Sequence, residues 1–132
     1  MGPTTKTRGL LQIGDVAERT GLSLRSVRHY EEVGLLPPAE RSPGGFRLYT
    51  DAAVDRLLLV KQMKPLEFTL DEMRALLDAQ DELAAGPAPA RRRELQESLA
   101  GYRLLVEQRL AKLEQRLAGG RALHVSLGTL LR

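Results

Sequence analysis

The chain has 132 residues, 42% of them apolar but only five aromatic, so its core would be filled by Leu, Val and Ala, which suits helices. It has no cysteine, which excludes disulfides, thiolate metal sites and thiol catalysis and fits a cytoplasmic location. The net charge of +3 is uneven: residues 1–80 hold 11 Lys/Arg and 11 Asp/Glu, and residues 81–132 hold nine and six, so phosphate affinity in the first part must come from a few placed arginines.

Residues 1–10 are polar and predict a disordered N-terminus without a signal peptide. No later stretch approaches the roughly 18 apolar residues of a membrane span, so no membrane partner is expected. Ile13, Val16, Ala17 and Thr20 then follow helical spacing, with Gly14 as cap, Asp15 and Glu18 in the first turn and Gly21 as the stop. Ser23 caps a second helix reaching about Val33. Its Leu24, Val27 and Tyr30 recur every three residues and point inward, leaving Arg25, Ser26, Arg28 and His29 outward. Two short helices over 13–32 with a Gly-led turn between them have the layout of a helix-turn-helix, which places one helix in a DNA groove.

Pro37-Pro38 forces an extended exit. Arg41 and Phe46-Arg47-Leu48-Tyr49 flank Gly44-Gly45, a hairpin signal that makes residues 41–49 a wing. Thr50 opens a third helix over 50–64, with Val54, Leu57, Leu58 and Lys61 on its repeat and Pro65 at its end. Thr69 and Glu72 form a capping box for a fourth helix over 69–78. The DNA-binding domain thus spans 11–80, and a Pro-rich linker over 81–90 follows.

Residues 91–118 read as one long helix with an apolar seam of Leu95, Leu99, Tyr102, Val106, Leu110, Leu113 and Leu117, a heptad with one stutter. So narrow a seam on so long a helix wants a partner helix, and a homodimeric coiled coil is the natural reading. Gly119-Gly120 is expected to end it. The tail over 119–132, with Leu123, His124, Val125, Leu127, Leu130 and Leu131, is a possible effector region or a cover for the end of the coiled coil. The run Arg91-Arg92-Arg93 reads as solvated or paired with Glu94 and Glu97.

The combination resembles the MerR family of bacterial transcriptional regulators. Ile13-Gly14-Asp15-Val16-Ala17 with Thr20-Gly21-Leu22-Ser23 is similar to the family's first helix and turn. Val27-Arg28-His29-Tyr30-Glu31 with Gly34-Leu35-Leu36-Pro37 resembles its recognition helix and exit. Arg41, Gly45-Phe46-Arg47 and Tyr49 resemble its wing, and Leu66, Phe68-Thr69-Leu70 and Glu72-Met73 its second wing and fourth helix.

The resemblance implies a mainly α fold, a winged helix-turn-helix followed by a dimerisation helix that forms an antiparallel coiled coil. It implies a homodimer on a pseudo-palindromic double-stranded promoter site, distorting the DNA and so reaching RNA polymerase indirectly. Carried over by position, Arg28, Tyr30, Arg47 and Tyr49 would meet phosphates, with Arg41 and Gly45 completing the wing. Ser23, Arg25, Ser26 and His29 would lie nearer the bases.

Two departures stand out. The family's usual Gly before Phe68 is Glu67 here, which predicts a differently shaped second wing, since Glu tolerates positive φ poorly. Cysteine ligands for metal or redox sensing are absent and His124 stands alone, so no metal or other cofactor is expected. A small-molecule, non-metal effector remains possible; the alternative is a constitutive repressor or architectural DNA-bending protein. No nucleophile, phosphate-loop or metal-spacing motif supports an enzyme.

Overall fold

In the computed structural model, residues 10–37 and 40–132 are described; what the sequence predicts for residues 1–9 and Pro38 lies outside them. The chain forms two compact units, one ending at Asp81 and the other beginning at Glu82. The first contains β1 (Leu11–Gln12), α1 (Ile13–Thr20), α2 (Leu24–Glu32), β2 (Glu40–Arg41), β3 (Arg47–Tyr49) and α3 (Asp51–Met63). A 3-10 turn (Lys64–Leu66), α4 (Leu70–Ala84) and α5 (Pro89–Leu130) complete the chain.

The sheet is antiparallel with β3 in the middle. Leu11 pairs with Tyr49 and Gln12 with Leu48 on one edge, and Glu40 pairs with Leu48 and Arg41 with Arg47 on the other. The sequence pattern gives the wing but not β1. Because Gln12 is extended and its N–H donates to Asp15 Oδ2 at 3.1 Å, Gln12 rather than Gly14 caps α1.

Each helix of the first unit buries one stripe. Val16 on α1, Val27 on α2, Leu57 and Val60 on α3 and Leu77 on α4 are fully enclosed with Leu35, each burial worth roughly 1.5–3 kcal/mol. Leu24, assigned inward by spacing, is instead exposed, as is Leu58 on α3. Leu24 is the first residue of α2, ahead of the turn that packs. The Thr20 hydroxyl, also buried, donates to the Val16 carbonyl at 2.8 Å, so its polar group is satisfied within α1.

The turn between α1 and α2 requires glycine. Gly21 has φ +72°, and a Cβ there would lie 2.8 Å from Lys61 Nζ. That ammonium donates to the Thr20 carbonyl at 2.8 Å, at the C-terminus of α1. At the end of α2, Arg74 Nη2 donates to the Val33 carbonyl at 2.7 Å. Cations from α3 and α4 therefore sit at the carbonyl ends of both helix-turn-helix helices, where the dipole favours positive charge.

Glu67 adopts the left-handed conformation itself (φ 59°, ψ 36°), its N–H bonded to the Lys64 carbonyl at 3.0 Å. The turn keeps the positive-φ form despite the side chain. Thr69 and Glu72 then cap α4 reciprocally, at 2.9 and 3.1 Å, as their spacing predicts. Replacing Glu67 with glycine should stabilise the fold by roughly 0.5–1 kcal/mol. Relief of left-handed strain there outweighs the entropy glycine adds to the unfolded chain. Thermal denaturation checks this: a rise of a few degrees is expected, and a fall would show that the turn carries no strain.

Two helices run beyond the bounds of the sequence reading. α4 runs on through 81–84, where a linker is predicted, because Ala79, Gln80, Glu82, Leu83 and Ala84 are good helix formers; the chain turns at Gly86, with φ +72°. α5 begins at Pro89 and does not stop at Gly119-Gly120 but continues to Leu130, so the predicted tail is helical. Glycine in a helix interior costs about 1 kcal/mol relative to alanine, too little to break a 42-residue helix flanked by Leu117, Ala118 and Ala122. Arg91, in the first turn of α5, donates to both Glu82 oxygens at 2.6 and 2.8 Å and to Glu94 at 3.1 Å. The Arg91 hydrogen bonds hold the Glu82 carboxyl below its usual range. Among the described residues no helix is long and apolar enough to cross a membrane.

Candidate nucleic-acid interface

The outward face of α2 starts at its cap. Ser23 Oγ accepts from the Ser26 N–H at 3.0 Å, and its hydroxyl donates to Ser26 Oγ at 3.0 Å. Both serines assigned to base contact are thus already used to begin the helix, with Ser23 still exposed. Arg25, Arg28 and His29 are exposed along the same face. Tyr30 is only 5% exposed and packs in the core, with Lys64 Nζ 5.8 Å from its ring centroid. Little of its ring is left to meet a partner.

The wing is tightened at its tip by its own hydrogen bonds. Gly45, at φ +84°, donates to the Ser42 carbonyl at 2.8 Å, Phe46 N–H donates to Ser42 Oγ at 3.1 Å, and Arg41 Nη1 donates to the Gly45 carbonyl at 2.9 Å. Phe46 is 63% exposed at this tip. Arg41 is exposed as well, so its charge remains on the surface while one N–H braces the turn.

Where the wing meets the end of α2, one carboxylate joins them. Glu31 Oε1 accepts from the Tyr49 hydroxyl at 2.7 Å and from Arg47 Nη1 at 2.9 Å. Tyr49 is 2% exposed, so its ring belongs to the core and its hydroxyl is spent on Glu31 rather than turned outward. Burial first, and the Glu31 hydrogen bond next, push the Tyr49 hydroxyl above its ordinary range, keeping it a neutral donor. The Tyr49 hydroxyl and then the Glu31 charge raise the Arg47 guanidinium further still. The Arg47 side chain stays 37% exposed, so part of it remains accessible to a partner.

The first unit therefore brings together Arg25, Arg28 and His29 on one helix face, with Arg41 and Arg47 on a hairpin fixed to that helix by Glu31. It withdraws Tyr30 and Tyr49 into the core. Spacing alone does not reveal Glu31, Lys61, Lys64 and Arg74 as the groups that hold this surface. Glu31 enters the sequence reading only as the last residue of the recognition-helix motif, with nothing there to link it to the wing. The seam residues Leu95, Leu99, Tyr102, Val106, Leu110, Leu113 and Leu117 all lie on α5; Leu95 is buried, whereas Leu110 and Leu117 are 44% and 54% exposed. Among the described residues no cluster of three or more His, Asp or Glu could hold a metal ion.

Two family models match the chain: MerR HTH family regulatory protein over residues 11–80, and MerR, DNA binding over residues 54–130. It is 37% identical over 115 residues to the HTH-type transcriptional activator TipA of Streptomyces coelicolor, covering 87% of this chain and 44% of that protein. The chain spans about half the length of the curated relatives it matches. Among solved structures it is similar to MtaN, the N-terminus of the Bacillus subtilis multidrug transporter activator. That match has 31% identity and a TM-score of 0.53, with 92% of this chain and 99% of that one covered. The fold is also that of HiNmlR, a regulator lacking the sensor domain and bound to promoter DNA. There the TM-score is 0.61 at 23% identity, with 82% and 78% of the two chains covered.

Proposed function

We propose, from the premise that the chain belongs to the MerR family of helix-turn-helix regulatory proteins, that it binds a pseudo-palindromic promoter site as a homodimer. In this reading it controls transcription by distorting the DNA between the two half-sites. The observation that carries it is the cationic face of α2 with Arg47 of the wing clamped beside it by Glu31. α2 enters the major groove; Arg25 and His29 read base edges, and Arg28, Arg41 and Arg47 hold phosphates. Phe46 at the wing tip adds apolar contact to the sugars. The likeness to a regulator solved on promoter DNA supports the mode of binding.

The test compares two substitutions by titrating binding against salt. Arg28→Ala should weaken binding to every sequence roughly tenfold to hundredfold. It should also shallow the log–log salt slope by about two for a dimer, one phosphate contact per protomer. Tyr49→Phe should leave that slope unchanged, because its hydroxyl serves Glu31. Its cost should appear instead as about 1 kcal/mol of lost stability. A shallower slope for Tyr49→Phe would return that hydroxyl to the phosphate, and an unchanged slope for Arg28→Ala would remove this arginine from it.

The signal in this reading is a non-metal small molecule, since thiolate ligands for soft metals are lacking. In vitro transcription with and without a small-molecule extract tests it. A response removed by chelators would overturn the non-metal assignment, and no response would favour a constitutive or architectural role.

A further inference from the structure

The seam on α5 has a property that a two-fold pair of antiparallel helices requires. From Leu95 to Leu117 its steps are 4, 3, 4, 4, 3 and 4, a series that reads the same in both directions about Val106. An antiparallel pair related by a two-fold axis superimposes each helix on the reverse of its own pattern. We propose that α5 pairs with α5 of a second copy in the one register that puts Val106 on the axis. This rests on the homodimer proposed above, with the antiparallel pairing that the family resemblance implies, and deepens it by fixing which residues meet.

In that register Leu99 faces the partner's Leu113 and Tyr102 faces the partner's Leu110, while Leu117 lies level with the partner's Leu95, which is already enclosed within its own chain. Val106 meets its own copy, so every seam position from Leu99 to Leu113 has an apolar group opposite it. The flanks agree. At 100° per residue Arg103 and Glu107 lie on the same side of the seam, and a perpendicular two-fold axis brings Arg103 against the partner's Glu107 twice over. Arg103 Nε already stands 3.9 Å from Glu107 Oε1 within the helix, so the pair is poised to be shared across the seam.

Because α5 remains helical to Leu130, a second two-fold register exists, centred on Leu113. The seam continues in steps of 3, 4 and 3 through Gly120, His124 and Leu127. There Val106 would face the partner's Gly120, and Tyr102 the partner's His124, leaving a gap and a polar ring in the seam. Arg109 would approach the partner's Arg116 and, near the axis, Glu114 its own copy, all like charges. Packing and charge both select Val106. One consequence is that the turns from His124 onward have no α5 residue opposite them.

The chain has no cysteine, so single-cysteine variants report the register without background. Under mild oxidation of the full chain, Val106→Cys should form a disulfide-linked dimer at least about tenfold faster than Leu113→Cys, because only its thiols face each other. In a mixture of Leu99→Cys and Leu113→Cys chains, the mixed disulfide should dominate. Faster linkage through Leu113→Cys would overturn the register in favour of the second one. Equal linkage of Val106→Cys and Leu113→Cys would indicate parallel helices and also sink it. A chain that sediments as a monomer before oxidation would instead overturn the dimer itself.

Discussion

Arg56→Ala is expected to lower the stability of the first unit by about 2–4 kcal/mol, on the order of 10–20 °C in melting temperature for a unit of this size. The side chain is only 7% exposed and holds three groups at once. Nε donates to the Leu35 carbonyl at 2.9 Å, Nη1 pairs with Asp81, and Nη2 stands 3.7 Å from Asp78. Leu35 is fully buried just after α2, so removing the guanidinium deprives its carbonyl of this donor and opens space beside the recognition helix. Asp78 and Asp81 are 67% and 55% exposed, and losing either one should cost well under 1 kcal/mol, because water replaces the lost partner. Denaturation followed at a probe in the first unit checks both. A loss below 1 kcal/mol for Arg56→Ala would mean that the cation merely fills space.

Leu113→Glu should have the larger effect on function. Two copies of the change would put a carboxylate into the seam at two points. Each forfeits roughly 1.5–3 kcal/mol of apolar burial and adds the cost of desolvating a charge. Together these amount to more than about 4 kcal/mol, which raises the dimer dissociation constant by at least a thousandfold. Sedimentation should show monomer, and binding to a two-half-site promoter should fall to that of one half-site. Leu113→Met, similar in volume, should keep the dimer. A Leu113→Glu chain that sediments as a dimer would place the interface elsewhere.

The parts of this fold legible in the sequence are those whose causes are local. Gly21, the Ser23 cap, the Gly44-Gly45 turn and the Thr69–Glu72 box each act within a few residues, and each appears where its pattern predicts. The supporting groups act over distance. Lys61 reaches a carbonyl 41 residues earlier, Arg74 another 41 residues earlier, and Arg56 one 21 residues earlier. A helical wheel marks such residues only as polar positions on an amphipathic face. Tyr49 shows the same limit from the other side: the residue lies in the wing, and its hydroxyl donates to Glu31, a partner that pattern alone cannot reveal.

The helix that passes through Gly119 and Gly120 has uneven tolerance for local melting. Those two residues and Gly128 together cost about 3 kcal/mol relative to alanine, all between Gly119 and the end of the helix at Leu130. Opening of the backbone from Arg121 onward therefore needs less free energy than opening around Leu99 or Val106. Amide protons there should exchange with solvent first. Slowed exchange confined to residues 121–130 would report whatever molecule comes to cover the leucines of that end.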